Sequence, residues 1–515
     1  MFTLPEFPGQ YKVGSTTFAI PVGTAGTYEP VVVGSSKLNE SALHGSPGSP
    51  ALTFEEVVFT AYYPADVDQN TSKGFWRSGL HRSMHWLARP VKESLRGYSY
   101  FGEIPFWLTY TLLGGFAALL KIPVYHNAPL LHPKHRHSSE NEPWPLVFFS
   151  HGLGGTQTNY SHICSRIAST GRVVLAFEHH DGTSPFIIAR SRIPGSEEHA
   201  RSEYKYYLNP KDVQFDNDTR SDKFPLRTDQ LLFRRLEVYF THKKFQELVI
   251  NVDSTSPPEQ QTIHTIEGAR NIVDTSPKSE DTTFWNSWLK DTLDSSPKVN
   301  FQSNITLSGH SFGGATVFSI LSQPPPTLHE VAFDPLPVDH ALVFDPWLDP
   351  LPSPGPSPLE LKSSLSPSSN VPNLLVLNSE GYTLWEDHFN RLREIVHTWS
   401  TTVKAEQSSS TSSLSKPAPS DWSKSSSKTR LITLIRAQHP SFSDFGILIP
   451  FGKRGREGKI FLDVISQLSI GFLDGRLDDE LTRQNVKENT VETIKKSKEE
   501  EKRLVGDVGD IVINI

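Results

Sequence analysis

The 515-residue chain has a single cysteine, Cys164, which excludes an intramolecular disulfide framework. Its 50 Lys and Arg residues are outnumbered by 57 Asp and Glu, so it lacks the basic surplus that nucleic-acid binding requires. The first twenty residues have no basic stretch followed by an apolar core, and Phe2 excludes N-myristoylation. These absences predict a globular, cytoplasmic protein that binds no nucleic acid and needs no oxidising compartment.

The uncharged run at 104–120, IPFWLTYTLLGGFAALL, falls short of the ~20 apolar residues that span a bilayer. Two hypotheses remain open for it: a helix buried in the core, or one that dips into a lipid interface. Under the second hypothesis the protein is peripheral on membranes. The side chains that would contact membrane or substrate are then those of Phe106, Trp107, Leu108, Leu112 and Leu113.

Short apolar runs alternate with helical stretches along most of the chain, which indicates an α/β fold with a mostly parallel sheet covered on both faces. The strand-like runs lie at 53–63, 145–150, 172–178, 304–309, 340–345, 373–378 and 430–435, and the helical ones at 158–170 and 226–250. We predict one domain over 1–475 and a charged C-terminal tail over 476–515, with a solvated helix at 476–505. Ser- and Pro-rich composition predicts surface-loop insertions near 252–300, 350–370 and 403–428.

The stretch NITLSGHSFGGATVF at 304–318 carries the most specific motif. Gly309-His310-Ser311-Phe312-Gly313 matches the G-x-S-x-G elbow, in which a nucleophilic serine occupies a strained turn between a strand and a helix. The motif predicts the α/β-hydrolase fold, with Ser311 as nucleophile. A serine nucleophile needs a histidine base and an acid that orients it, and in this fold the order is Ser, acid, His.

The acid candidates follow strands downstream of the elbow. Asp345 directly ends HALVFD and is favoured, Glu380 follows NLLVLNS in the more usual position for this fold, and Asp334 has a weaker strand before it. For the base, His439 is singled out because it comes just after the last strand. By contrast, His388 and His397 fall in a helical segment and His340 precedes its strand.

Backbone amides should stabilise the oxyanion, one from the residue after the serine and one from an earlier loop. Phe312 supplies the first, and Leu153 in the SHGLGG turn is our choice for the second. In FEHHDG at 177–182, the adjacent histidines point to opposite sides of a strand, which favours a structural role over a metal site. We predict neither a metal nor a cofactor.

The chain resembles the platelet-activating factor acetylhydrolases of the plasma and type II group. The resemblance spans roughly residues 7 to 446 and rests on segments in the family's order: FPGQYKVGSTTFAIPV, AYYPAD, PLVFFSHGLGG, AFEHHDG, LRTDQLLFRRLEV, SGHSFGGATV, ALVFDPWLDPL, LLVLNSEGY and AQHPSFSDF. It implies calcium-independent hydrolysis of the sn-2 acetyl or short or oxidised acyl ester of phospholipids. It also implies the triad Ser311, Asp345 and His439, with oxyanion amides from Leu153 and Phe312.

Two other functions stay open at the level of sequence. A carboxylesterase or lipase could use the same scaffold and the same three residues on other esters. A catalytically inactive lipid-binding scaffold is the more distant alternative. Neither the preferred acyl chain nor the oligomeric state follows from the sequence.

Overall fold

In a computed structural model, the described residues form two compact units. Unit 1 comprises Met1–Phe301 and Pro326–Phe333, and unit 2 comprises Gln302–Pro325 and Asp334–Ile515. The described ranges are 2–22, 30–67, 83–135, 142–191, 201–215, 223–251, 264–267, 271–272, 282–290, 296–353, 355, 371–410, 429–448, 452–496 and 499–515.

Unit 1 contains a mixed sheet. Its main strands are β1 (Val13–Pro21), β2 (Glu56–Pro64), β3 (Trp144–Ser150) and β4 (Val173–Glu178). Antiparallel pairing joins β1 to β2 and β2 to β4, whereas β4 and β3 are parallel. The helices of this unit are α1 (Val91–Phe101), α2 (Phe106–Leu119), α3 (Ser161–Ala168), α4 (Pro225–Asn251) and α5 (Thr282–Trp288).

Unit 2 contains four parallel strands in chain order: β5 (Ile305–His310), β6 (Val338–Phe344), β7 (Asn373–Ser379) and β8 (Thr429–Leu434). The helices are α6 (Phe312–Ser322), α7 (Glu380–Leu384), α8 (Glu386–Ser410), α9 (Gly452–Leu473) and α10 (Leu477–Thr482). Parallel strands covered by helices confirm the predicted α/β-hydrolase class.

The register of unit 2 brings the residues after its strands to one edge of the sheet. His310 pairs with Phe344, Phe344 with Leu377, and Ser379 with Leu434. Nearly every residue of β5, β7 and β8 is buried, as expected for parallel strands covered on both faces. Side chains that follow these strands therefore share one edge, which is where ligands bind in open α/β sheets.

The prediction of a solvated helix at 476–505 was wrong beyond its first turn. After α10 the chain forms short strands at Val486–Lys487, Val491–Lys496 and Glu499–Leu504. A last strand, β9 (Ile511–Ile513), pairs antiparallel with β8 and is largely buried. The strands Val491–Lys496 and Glu499–Leu504 pair antiparallel with each other, and the apolar end of the chain extends the sheet.

The predicted insertions are only partly described. Residues 252–263, 268–270, 273–281, 291–295, 354, 356–370 and 411–428 lie outside the described residues. The described part of 252–300 is not a surface loop, because Trp288 of α5 is fully buried against Phe18 and Tyr63. Similarly, α8 extends to Ser410, into the stretch predicted as a loop from 403.

The uncharged run 104–120 forms α2, and the hypothesis of a core helix was wrong. Only Thr109 and Ala117 of this helix are buried, whereas Trp107 and Leu112 each remain 68% exposed. Among the described helices, none has both the length and the hydropathy to cross a bilayer. The helix therefore presents apolar side chains to its surroundings.

Candidate active site

Ser311 occupies a strained turn between β5 and α6, with φ 58° and ψ −116°. A Cβ at Gly309 would clash with the Gly313 carbonyl, and a Cβ at Gly314 would approach Pro346 Cα to 2.9 Å. Only glycine fits such close backbone approaches, which explains Gly309 of the motif and the adjoining Gly314. The turn therefore has the strained strand-to-helix geometry that the sequence motif predicts.

Three side chains of unit 2 form a continuous hydrogen-bond chain. The Ser311 hydroxyl oxygen lies 2.9 Å from His439 Nε2, and Asp345 Oδ2 lies 3.0 Å from His439 Nδ1. Asp345 is fully buried, whereas the His439 side chain is 35% exposed. This arrangement lets the imidazole accept the serine proton while the carboxylate holds the ring and its charge.

Asp345 follows β6 directly and its carboxylate is fixed from two sides. Its backbone has φ 39°, and its amide donates to the Leu377 carbonyl at 3.0 Å. The second oxygen, Oδ1, accepts the Ser379 amide at 2.6 Å, which leaves Oδ2 for His439. Strained backbone conformations of this kind occur at functional sites, where the surrounding structure holds the residue in place.

Glu380, the rival acid, is engaged elsewhere. Its carboxylate accepts the Arg436 amide at 2.6 Å, the Leu504 amide at 3.0 Å and the Arg436 guanidinium at 3.1 Å. Arg436 has φ 65° and lies three residues before His439. Glu380 therefore braces the segment that carries the histidine. Asp334, the other candidate, is exposed.

The remaining candidate histidines are not part of the chain. His388 accepts the Leu348 amide at 3.2 Å and stacks on Trp385, His397 is exposed on α8, and His340 lies within β6 against Phe472. His310 was not among the candidates, but its ring lies 4.4 Å from that of His439. Burial, followed by the nearby charge of His439, keeps the pKa of His310 well below its usual range.

Nitrogens of His310 and His439 and an oxygen of Asp345 lie within 4.8 Å of one another, a spacing that could also suit a metal ion. Both nitrogens of His439 already have hydrogen-bond partners in Ser311 and Asp345. A metal ligand must offer a free lone pair, and neither nitrogen of this ring does so while the chain is intact. The hydrogen-bond chain is therefore sufficient to explain the cluster.

Unit 1 carries the glycine-rich turn at 151–155. Gly154, with φ 71°, donates its amide to the Thr183 carbonyl at 2.9 Å, and a Cβ there would overlap the Phe101 ring. The buried Arg234 guanidinium donates to the His151 carbonyl at 2.6 Å and so fixes the start of the turn. Among the described residues, none accepts a hydrogen bond from the Leu153 amide.

Beneath this turn lies a second Ser–His–carboxylate chain that sequence reasoning missed. His179 Nε2 lies 2.7 Å from the Ser150 hydroxyl, and its Nδ1 lies 2.5 Å from Glu237 Oε2. All three side chains are buried, and Arg234 forms a fully buried ion pair with Asp181. The available signal was charge: Arg234 and Glu237 interrupt the apolar face of α4. The histidines of FEHHDG thus take part in structural contacts.

The five residues proposed for membrane contact lie on α2 with different exposures. Trp107, Leu112 and Leu113 are exposed, whereas Phe106 and Leu108 are half-buried. A neighbouring residue, Tyr110, is also exposed and packs against Phe106.

Sequence comparison finds curated relatives of known name. The chain is 28% identical over 304 residues to the platelet-activating factor acetylhydrolase of Bos taurus, covering 56% of this chain and 53% of that protein. It is 25% identical over 246 residues to a putative phospholipase A2 of Schizosaccharomyces pombe, covering 48% of each. The chain thus spans about half the length of the curated relatives it matches.

Among solved structures, a ferulic acid esterase from Streptomyces cinnamoneus is similar with a TM-score of 0.44 and 15% identity, covering 93% of this chain and 94% of the esterase. The family model described as platelet-activating factor acetylhydrolase, isoform II, matches residues 3–498. That match covers nearly the whole chain, including the elbow, the glycine-rich turn and the residues of the hydrogen-bond chain. The protein therefore belongs to the platelet-activating factor acetylhydrolase, isoform II family.

Proposed function

We propose that this protein is a serine ester hydrolase with Ser311 as nucleophile and His439 as base. Asp345 is the carboxylate that orients His439 and balances the positive charge that the imidazole acquires. The observation that carries the proposal is the unbroken hydrogen-bond chain through these three side chains. Family membership supports the same assignment.

In this mechanism, His439 Nε2 takes the proton of Ser311 as its oxygen attacks the ester carbonyl. The resulting imidazolium, stabilised by Asp345, gives that proton to the departing alcohol and leaves an acyl-enzyme. A water molecule then attacks the acyl carbon and passes a proton to His439. His439 returns that proton to the Ser311 oxygen as the bond to the acyl carbon breaks and the acid is released, which restores the enzyme.

The amides of Leu153 and Phe312 are the proposed oxyanion donors. Phe312 opens α6, so its amide lies at the positive end of a helix dipole. Leu153 is supported as the second donor because hydrogen bonds fix the turn that carries it. In addition, none of the described residues accepts a hydrogen bond from its amide. Donors of this kind contribute on the order of 3 kcal/mol each to transition-state stabilisation.

The proposed substrate is a phospholipid whose sn-2 ester carries an acetyl group or a short or oxidised acyl chain. Support comes from the family and from the names of the bovine and fission-yeast relatives. Neither calcium nor another cofactor enters the steps above, so chelation with EDTA should leave the rate unchanged.

We also propose that the protein is cytoplasmic and binds membranes peripherally through α2. Its exposed Trp107, Leu112 and Leu113 offer the apolar surface that interfacial helices bury among lipid headgroups. Replacing Trp107 and Leu112 by serine should weaken binding to phosphatidylcholine vesicles by up to about 1000-fold, because the two side chains together contribute roughly 4 kcal/mol when fully buried. Binding that survives high salt supports apolar docking, and binding lost in salt contradicts it.

The decisive experiment is labelling with a fluorophosphonate probe combined with a phosphatidylcholine chain-length series. Ser311→Ala should abolish labelling and hydrolysis, whereas the matched control Ser150→Ala, which removes a buried hydroxyl, should retain labelling. Preference for short sn-2 chains supports the proposed substrate. Equal rates on long-chain or neutral esters would indicate a general esterase or lipase. Hydrolysis that persists in Ser311→Ala would refute the serine mechanism.

A further inference from the structure

Tyr382 lies beside the triad and has no role in the mechanism above. It is the last tyrosine of the sequence and the first after Tyr239. Its ring stacks on the His439 imidazole with centroids 4.5 Å apart and planes inclined by 2°. A flat face-to-face contact with the proposed base is a specific arrangement that requires an explanation.

The Tyr382 ring is held in place by the same groups that hold the acid. Ser379 donates its amide to Asp345 Oδ1, and its hydroxyl accepts the Tyr382 amide at 3.3 Å as the N-cap of α7. Trp385 and His388 each contact the edge or face of the tyrosine ring in T-shaped geometry. The stacking is therefore fixed by α7 rather than by a freely rotating side chain.

Besides stacking on His439, the side chain of Tyr382 interacts with the side chain of the nucleophile Ser311. Burial, followed by the negative charge of Asp345, raises the pKa of Tyr382 well above its ordinary value. The polar contact with the Ser311 side chain acts in the opposite direction but is smaller. The phenol therefore keeps its proton at physiological pH and is available as a hydrogen-bond donor near the Ser311 oxygen.

We propose that Tyr382 is a further catalytic residue, which supports the His439 imidazolium through its ring face and the departing Ser311 oxygen through its hydroxyl. This inference rests on the proposed serine mechanism. A cation within about 6 Å of an aromatic centroid is attracted by the electron-rich face of the ring, and the stack meets that condition.

The two contributions act at different steps. The imidazolium forms in both acylation and deacylation, so the ring assists both. The hydroxyl assists deacylation, in which the Ser311–acyl bond breaks and Ser311 Oγ takes up the bonding electron pair. Its proton comes from His439 Nε2, while the phenol donates a hydrogen bond and keeps its own proton. In acylation the same oxygen is the attacking atom and gains no such benefit.

The test uses p-nitrophenyl acetate with the full chain, because a small ester avoids any effect of vesicle binding. Tyr382→Phe should lower the deacylation rate constant about tenfold, the effect of one hydrogen bond to a charged atom, while acylation changes less than about threefold. The acetyl-enzyme fraction, measured by intact mass after acid quench, should rise. Tyr382→Leu should in addition lower the acylation rate constant about threefold relative to Tyr382→Phe, because the aromatic ring is lost.

Tyr204→Phe is the matched control, since it removes the hydroxyl of an exposed tyrosine on a hairpin of unit 1 and should leave both rate constants unchanged. Equal slowing of both steps in Tyr382→Phe, or no slowing, overturns the inference while Ser311→Ala remains inactive. Hydrolysis retained by Ser311→Ala would instead overturn the proposed function and this inference with it. Thermal unfolding of each variant separates lost catalysis from lost folding.

Discussion

The protein contains two Ser–His–carboxylate chains with almost the same hydrogen bonds and different surroundings. In unit 2, His439 links Ser311 to Asp345 and keeps a third of its side chain exposed. In unit 1, His179 links Ser150 to Glu237, and its side chain is fully buried.

Backbone geometry and charge separate the two chains further. Ser311 sits on a strained turn with positive φ, whereas Ser150 is the last residue of a regular strand and accepts the Arg234 guanidinium at 3.2 Å. Burial, followed by the charge of Arg234, holds the pKa of His179 well below its usual range. A fully buried histidine of lowered basicity neither reaches an external ester nor readily takes up a proton, so hydrogen-bond geometry alone does not define a catalytic triad.

The largest expected effect comes from changing the carboxylate of each chain. Asp345→Asn should lower kcat/KM by about 10³- to 10⁴-fold, because an amide donating to Nδ1 imposes the wrong imidazole tautomer. Glu237→Gln should cost less than about tenfold in activity but about 2 kcal/mol in the free energy of unfolding, since the buried hydrogen bond to His179 is disrupted. Steady-state kinetics and urea unfolding check the pair. Equal losses of activity would erase the distinction between the two chains.

A smaller effect concerns pH and sharpens the contrast in burial. Burial raises the pKa of Glu178 from 4.5 to about 8, so the folded protein binds a proton that the unfolded chain has released. Its stabilising contribution is therefore full below about pH 4.5 and is lost as the pH rises to about 8. Glu178→Gln should remove this dependence, so that the stability of wild type relative to the variant falls by about 3 kcal/mol from pH 5 to pH 8.

Urea unfolding of wild type and Glu178→Gln at several pH values provides the measurement. Titration of other groups, such as His151 and His179, is common to both proteins and cancels in the difference. A difference that stays constant with pH would mean that Glu178 is ionised in the folded state.

The smallest expected effect compares the two acids that follow neighbouring strands of unit 2. Glu380→Gln should lower kcat/KM only about threefold and the free energy of unfolding by about 2 kcal/mol, because the single oxygen of glutamine can still accept one of the two backbone amides of Arg436 and Leu504. The test compares steady-state kinetics and thermal unfolding of Glu380→Gln with those of Asp345→Asn. A loss as large as that of Asp345→Asn would assign Glu380 the orienting role.

Sequence patterns predicted the elements with strong local signals. The elbow, the parallel strands and helices α3 and α4 follow from glycine spacing and apolar periodicity, which depend only on neighbours along the chain. The charged C-terminal segment was mispredicted because its Lys and Glu residues favour a helix in isolation, whereas Val491–Lys496 and Glu499–Leu504 pair with each other as strands. Only the last strand, β9, depends on a distant partner, since β8 lies some eighty residues earlier.

Site chemistry was predictable where a motif requires it and unpredictable where only packing creates it. Ser311 and its glycines follow from steric limits on one turn. The face of Tyr382 on His439, and the buried partners of His179, depend on how separate elements pack.

The amino-acid sequence by itself determined the fold class, the nucleophile turn and the glycine-rich turn, since short-range sterics and hydrophobic periodicity act before any long-range contact forms. Only the tertiary structure decided that Asp345 hydrogen-bonds the imidazole of His439 and that Glu380 braces the segment that carries this histidine. The physical reason is that Asp345 and Glu380 have similar local sequence contexts, and only the positions of Ser379, Arg436 and Leu504 around them distinguish the two roles.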